Sequence, residues 1–123
     1  MWEKKTTVGS GANAADLHDV DNLYDWSTAN LSWINAVNAE RFAGFSDWRV
    51  PTKDELRGIL DLNAGPPRID PIFGLTRANP YWSSTVDDDN SGLQAWFVDF
   101  SPGYTFTADK HNGFRVRAVR PGP

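Results

Sequence analysis

The sequence predicts an α+β fold in which helices come first along the chain and strands follow. Two stretches with helix-start residues lie before residue 62, and four β-prone stretches lie after residue 80. This order is typical of an antiparallel arrangement, because parallel sheets need strands and helices that alternate. At 123 residues the chain has the length of one domain with a substantial buried core. We therefore expect a single domain that spans residues 1–123.

The first predicted helix follows a long polar stretch. Residues 6–25 are rich in turn-forming types, which is typical of a surface loop. Ser27 or Thr28 can cap the helix that follows, because a hydroxyl can accept a hydrogen bond from a free backbone N–H of the first turn. Apolar residues then recur at helical spacing, which predicts a helix over 28–41.

The second helix has the clearest start in the chain. Pro51 favours an extended backbone just before it, and Thr52 is a good N-cap. Glu55 lies three residues further on and can reach back to the cap, which makes a capping box. The pattern predicts a helix over 53–61 whose core side carries Leu56, Ile59 and Leu60.

The rest of the chain is a proline-rich segment followed by strands. Residues 63–80 contain four prolines, so we expect irregular structure there. Its apolar residues are expected to pack underneath: Ile69, Ile72, Phe73 and Leu75. The strands are expected at 81–86, 93–100, 103–108 and 114–120. The stretch 93–100 is apolar on both faces, which indicates an interior strand.

Bulk composition excludes several functional classes. The net charge is −4 and the basic residues are scattered, which argues against a nucleic-acid-binding surface. The chain has no cysteine, so thiol nucleophiles and cysteine metal sites are excluded. No apolar run approaches the ~20 residues of a membrane-spanning helix, so we expect no membrane insertion. Ser83 and Ser84 lack a nucleophile motif and a neighbouring base, and we expect no enzymatic activity.

The acidic stretch 87–92 is the strongest candidate for a cation site. Its residues Asp87, Asp89 and Ser91 offer oxygen ligands at alternate positions, as in the first half of a calcium loop. Val98 stands where an EF-hand would have its bidentate glutamate, so any calcium binding is expected to be weak. The alternative is an ordinary acidic hairpin loop. We expect no other cofactor.

Three further groups of polar residues each allow a structural and a functional interpretation. His18 lies among aspartates that can hold a metal, although a solvated turn is favoured. Arg115, Arg117 and Arg120 form either a polyanion patch or, as favoured, pairs with carboxylates such as Asp99. The Asp47-Trp48-Arg49 block is interpreted as scaffold, and Trp48, Trp82 and Trp96 are expected to be mostly buried.

Six blocks, in order, resemble the Lcl C-terminal domain family, named for the C-terminal domain of a Legionella collagen-like adhesin. They are Met1-Trp2-Glu3-Lys4-Lys5-Thr6, Asp47-Trp48-Arg49-Val50-Pro51-Thr52 with Glu55-Leu56, Asp70-Pro71-Ile72-Phe73, Tyr81-Trp82-Ser83-Ser84-Thr85, Ala95-Trp96-Phe97-Val98-Asp99-Phe100 and Val116-Arg117-Ala118-Val119-Arg120. The chain departs from the family pattern in two ways. It starts at the Met-Trp-Glu block without a preceding strand, and it has Ala118 where members often have cysteine.

The resemblance implies a C-type-lectin-like fold of the formylglycine-generating-enzyme type. Two helices would pack on small twisted antiparallel sheets, with long loops presenting a binding face. Members occur mostly in exported bacterial proteins, and the named adhesin domain binds sulfated polysaccharides. No signal peptide is visible in this chain, so the resemblance favours a location at the cell surface or outside the cell as part of a longer exported protein.

We therefore expect a non-catalytic domain that binds a glycan or a cell-surface receptor. The candidate ligand-binding residues are Asp87, Asp89, Asn90, Tyr104, Phe106, Lys110, His111 and Asn112. The opposing interpretation of Tyr104 and Phe106 is that they only pack the sheet. The alternatives are a variable receptor-binding protein of a diversity-generating retroelement, a structural cap that trimerises or otherwise forms a homo-oligomer, and an enzyme of the formylglycine-generating fold. The last is disfavoured because those oxidases work through cysteine.

Overall fold

A three-stranded antiparallel sheet forms the centre of the molecule. The strands are β1 (Pro80–Val86), β2 (Gln94–Asp99) and β3 (Tyr104–Asp109), in the spatial order β1-β2-β3. The structure, a computed structural model, describes residues 1–7, 11–13, 15–87 and 92–121. These three strands lie within two residues of their predicted bounds, and the prediction that β2 is interior is confirmed.

The central strand β2 is covered on both faces. Its Phe97 lies opposite Trp82 of β1 and Phe106 of β3, while Val98 lies opposite Tyr81 and Thr105. Successive side chains of a strand point to opposite faces, so these two rows divide the core in two. One cluster contains Ala29, Trp33, Val37, Trp48, Val50, Trp82, Ala95, Phe97, Val116 and Ala118. The other contains Leu56, Ile59, Ile69, Tyr81, Val98 and Phe100.

The first helical region is one continuous run over residues 26–39. It consists of α1 (Trp26–Thr28), a π-helix (Ala29–Trp33) and α2 (Ile34–Ala39), and the backbone at both junctions stays right-handed helical. The run starts two residues before its predicted start because Asp25 is the cap. The Asp25 carboxylate accepts a hydrogen bond from the backbone N–H of Thr28 at 2.7 Å.

A tight turn over residues 40–44 follows this helical run. Arg41 and Ala43 both have φ of 54°, a left-handed conformation that non-glycine residues seldom adopt. Asn38, on the last turn of α2, fixes the returning chain, because its side-chain amide both donates to and accepts from the backbone of Trp48 at 2.8 and 2.7 Å. The turn therefore has a defined, strained backbone.

The second helix, α3 (Lys53–Gly58), has the predicted capping box. The Thr52 hydroxyl accepts a hydrogen bond from the Glu55 N–H, and the Glu55 carboxylate accepts one from the Thr52 N–H at 2.8 Å. The helix ends at residue 58 instead of 61. The reason is that Leu60 pairs with Ile69 in an antiparallel bridge, which draws the chain out of the helical path.

The predicted strand 114–120 is wrong. This segment makes only isolated bridges, to Tyr24, Tyr81, Trp2 and Arg49, and one of the four is parallel. A strand needs one partner along its length, whereas this segment changes partner every one to four residues. It therefore connects parts of the chain that are distant in sequence. We call residues 114–120 the C-terminal tie.

The two predicted irregular segments are more integrated than expected. Residues 6–25 do not form a simple surface loop, because Val20, His18 and Asp19 are buried and Thr6 exchanges backbone hydrogen bonds of 2.7 and 2.8 Å with this stretch. In the second segment Ile69 is buried as predicted. Ile72 is 70 % exposed, which contradicts the prediction, because the 3₁₀ turn in which it lies directs it outward.

The α+β class is confirmed, and the described helices are all short. None of them, within the parts of the chain that the structure describes, is long and apolar enough to cross a lipid bilayer. Trp48 and Trp82 are buried as predicted, whereas Trp96 is only partly covered.

This difference predicts unequal costs for two tryptophan truncations. Trp48→Ala should lower the free energy of unfolding by about 3–5 kcal/mol, as for other large core residues. Trp96→Ala should cost clearly less, because part of its ring already faces solvent. Chemical denaturation of both variants measures the difference, and equal losses would show that Trp96 is a core residue.

Candidate functional site

The structure separates the predicted ligand-binding residues into two groups. Tyr104 and Phe106 lie on β3, whereas 110–112 follow its far end, about 13–20 Å along the strand at roughly 3.3 Å per residue. Asp87 lies at that far end, because its N–H donates to the carbonyl of Gln94, which pairs with the end of β3. Asp89, Asn90 and Ser91 lie outside the described residues, so the calcium site stays a prediction.

At the far end of β3 the polar residues mainly hold their own turn. The carboxylate of Asp109 pairs with the imidazole of His111 at 2.8 Å, and the Asn112 side chain donates to the Asp109 carbonyl at 3.0 Å. The backbone and side chain of His111 lower the pKa of Asp109 through these hydrogen bonds. The Lys110 ammonium lies over the ring of Trp26, 4.4 Å from its centroid. These contacts hold the turn in place, and they leave the imidazole edge of His111 and the ammonium donors of Lys110 accessible.

Two aromatic rings stand exposed on β3. Tyr104 is 47 % and Phe106 is 60 % exposed, and their rings meet edge to face with centroids 6.3 Å apart. The buried Phe97 lies beside them, 6.3 Å from the Tyr104 ring. We call the two exposed residues, Tyr104 and Phe106, the aromatic patch. The structure therefore disfavours the interpretation that both rings only pack the sheet.

A groove beside this patch was not predicted from the sequence. It encloses about 510 Å³ between α3 and the sheet. Its walls, here called the α3 groove, are formed by Lys53, Arg57, Leu60, Leu62, Trp96, Gly103, Tyr104 and Thr105. The Lys53 ammonium lies 4.4 Å from the centroid of the Trp96 ring. The aromatic patch lies on the Phe97 face of the sheet and the α3 groove on the Trp96 face, and the two meet at Tyr104 on the edge strand β3.

The two cations of the α3 groove are weakly engaged. Arg57 approaches Asp54 at 3.7 Å, and both side chains are mostly exposed, so this pair contributes little. Lys53 has the indole of Trp96 as its neighbour, a contact that leaves the donors of its ammonium free for a ligand. The signal available in the sequence was the spacing of Lys53 and Arg57, four residues apart and so on one side of a helix.

The hairpin turn closes one end of the groove. Gly103 has φ of +84°, and a Cβ added there would lie 2.6 Å from a methyl carbon of Leu62. The turn thus requires glycine for both its backbone conformation and its contact with Leu62. This packing fixes the position at which β3 and Tyr104 begin.

The C-terminal arginines are committed to internal partners. Arg115 donates to the Val20 carbonyl at 3.0 Å and contacts the Asp21 carboxylate at 3.3 Å. Arg117 is buried and donates to the Leu75 carbonyl at 2.8 Å. The prediction of carboxylate pairing is correct for Arg115, but Asp99 is not the partner. The Asp99 carboxylate instead accepts a hydrogen bond from the Ser101 N–H in the hairpin turn.

The matching blocks of the sequence meet in space around this C-terminal segment. Arg120 pairs with Asp47 at 2.7 Å, and Arg49 and Val119 exchange backbone hydrogen bonds of 2.8 Å. A family model of the Lcl C-terminal domain matches residues 1–120. The chain belongs to the Lcl C-terminal domain family. No curated protein sequence matches it.

In this Lcl C-terminal domain the remaining sequence candidates have structural roles. Ser83 is buried and donates its hydroxyl to the Trp96 carbonyl at 2.6 Å. His18 is not in a solvated turn, since it is buried between Glu3 and Glu40. Across the described ranges, no three side chains of the His, Cys, Asp and Glu types are grouped to hold a metal ion.

The exposure of the aromatic patch predicts that it can be altered without unfolding the Lcl domain. The double variant Tyr104→Ser/Phe106→Ser should lose no more than about 1 kcal/mol, the scale of an exposed aromatic pair. Phe97→Ser is the matched control and should lose several times more, because that ring is buried. Thermal melts of both variants compare the two, and a double variant that unfolds would place both rings in the core.

Proposed function

We propose that this domain is a non-catalytic module that binds glycans through the aromatic patch and the adjoining α3 groove. The observation that carries this proposal is that the exposed Tyr104 belongs both to the aromatic patch and to the α3 groove, whose walls hold two weakly engaged cations. Aromatic faces suit the C–H surfaces of sugar rings, and partly polar rims suit their hydroxyls. Adjacent exposed aromatic rings with a polar rim are a common mark of a binding surface.

The chemistry of the α3 groove favours an acidic glycan. Lys53 and Arg57 supply charged donors for carboxylate or sulfate groups, and such charge-assisted hydrogen bonds are stronger than neutral ones. The molecule as a whole carries a net charge of −4, so a cationic groove on it is a local feature. Long-range attraction of an anion is therefore weak, and contact within the groove has to supply the affinity.

Membership of the family supports a proposal about the fold type and the cellular location of this domain. We infer a C-type-lectin-like fold and a place at the cell surface or outside the cell, within a longer exported protein. A binding surface on a strand and a helix is positioned more rigidly than one on loops alone. The sheet and α3 are suited to hold such a surface.

An array of acidic and neutral glycans, screened with and without calcium, tests the proposal. We expect acidic glycans to bind, and Lys53→Ala/Arg57→Ala to weaken the best of them at least about tenfold, the scale of one lost charged hydrogen bond. Tyr104→Ser/Phe106→Ser should weaken acidic and neutral glycans alike. Lys4→Ala, which removes an exposed cation elsewhere, is the matched control and should bind as the wild type does.

Two results would contradict the proposal. Full affinity in both double variants would place the glycan site elsewhere on the domain. A folded wild-type domain that binds no glycan on the array would exclude the glycan class and favour a protein receptor. Binding that requires calcium would in addition support the predicted acidic-loop site.

A further inference from the structure

A buried histidine joins three distant segments of the chain. His18 hydrogen-bonds through Nδ1 to the Glu3 carboxylate and through Nε2 to the Glu40 carboxylate. Its ring stacks on Phe42 with centroids 3.9 Å apart and an interplanar angle of 23°. Glu3 belongs to the N-terminal segment, whereas Glu40 and Phe42 belong to the 40–44 turn.

The geometry fixes the protonation of the imidazole. An ionised carboxylate can only accept hydrogen bonds, so both ring nitrogens of His18 have to be donors. Only the imidazolium form has two N–H groups. The histidine is therefore a buried cation that lies between two anions.

Several charged groups lie around this cation. Glu3 is fully buried and also accepts from the Lys5 ammonium and the Ala118 N–H, each at 3.0 Å. Asp16, in the loop that carries His18, accepts from the His18 backbone N–H at 2.9 Å. Arg117, in the C-terminal segment, interacts electrostatically with Glu3 and Lys5.

We propose that His18 is a pH-dependent latch that holds the 40–44 turn against the N-terminal segment. Loss of its proton leaves one carboxylate without a donor. Glu3 keeps its bonds to Lys5 and Ala118, whereas the Glu40 side chain is 41 % exposed and can turn to solvent. The contact to Glu40 is therefore the one that opens.

The turn on the far side of the latch is strained. Arg41 and Ala43 have left-handed φ values, a conformation that is unfavourable for non-glycine residues unless surrounding contacts enforce it. The contacts that enforce it are the Glu40 bond, the stack of His18 on Phe42, and a 2.9 Å hydrogen bond from the Trp48 indole to the Phe42 carbonyl. Opening the first of them lets the turn relax.

The sign of the pH dependence follows from the pKa of His18. Burial alone would lower this pKa, but the hydrogen bonds and charges of Glu3 and Glu40 outweigh burial and raise it. The contribution to stability is therefore complete below the unfolded value of about 6.5, and it is lost as pH rises through the folded value. Each pKa unit of the increase multiplies the folding equilibrium constant by about ten.

Ring ¹⁵N NMR of the whole chain tests the protonation directly. The chain has two histidines, and His111, with its side chain 87 % exposed, is the internal reference. At pH 7 both ring nitrogens of His18 should show imidazolium shifts, and these should persist above the unfolded value of about 6.5. A neutral His18 at pH 7 would overturn the proposal.

Thermal melts between pH 6 and 10 test the consequence. The wild-type midpoint should fall with rising pH relative to His18→Gln, and His111→Gln should keep the wild-type slope.

If His18→Gln does not fold, Glu40→Gln replaces it, because that variant removes only the partly exposed partner and should lower the pH at which the His18 shifts change. Amide exchange at 40–44 should speed up, after correction for intrinsic rates, only above that pH. An unchanged pH for the His18 shifts in Glu40→Gln, or an unchanged wild-type midpoint across the range, would contradict the latch.

Discussion

The burial of β2 on both faces is the constraint on which the rest of the structure depends. Ala95 and Phe97 are buried on one face of the strand, and Val98 is buried on the other. The helical run 26–39 and the Trp48 loop pack on the first face, and α3 with the 59–69 segment packs on the second. Neither group of elements extends over all of β3. The aromatic patch and the rim of the α3 groove therefore remain exposed.

The second organising feature is the C-terminal tie over residues 114–120. It pairs with the N-terminal segment, the helix entrance, the Arg49 segment and β1, so it closes the domain without forming a regular strand. Its arginines make this possible, because they satisfy carbonyls and carboxylates of segments that have no ladder partner of their own. Such buried polar contacts specify one arrangement of the ends, since an unsatisfied partner would be costly.

The sequence predicted those features that are determined locally. The capping box of Thr52 and Glu55 depends on residues three apart, and the interior position of β2 depends on a short apolar run. The failures involve distant contacts. Nothing near 114–120 distinguishes a strand from a tie, and the burial of His18 depends on Glu3 and Glu40, 15 and 22 residues away. The α3 groove likewise exists only where Lys53 meets Trp96 of a different element.

The two functional proposals concern different parts of the fold. The binding surface lies around the edge strand β3, where exposed side chains can change without loss of the core. The latch lies where the N-terminal segment meets the 40–44 turn, which is held by a charge as well as by packing. A change of pH should therefore alter the turn before it alters the sheet, and ligand binding should persist while the latch opens.

Amide chemical-shift mapping with a heparin-derived hexasaccharide as the probe tests the central claim most directly, which is that β3 and the adjoining α3 groove form the binding surface. The account predicts shifts that change with saturation at Lys53, Trp96 and 104–106, and small changes elsewhere. Saturable changes confined to residues 110–112 or to the 11–25 segment would contradict it.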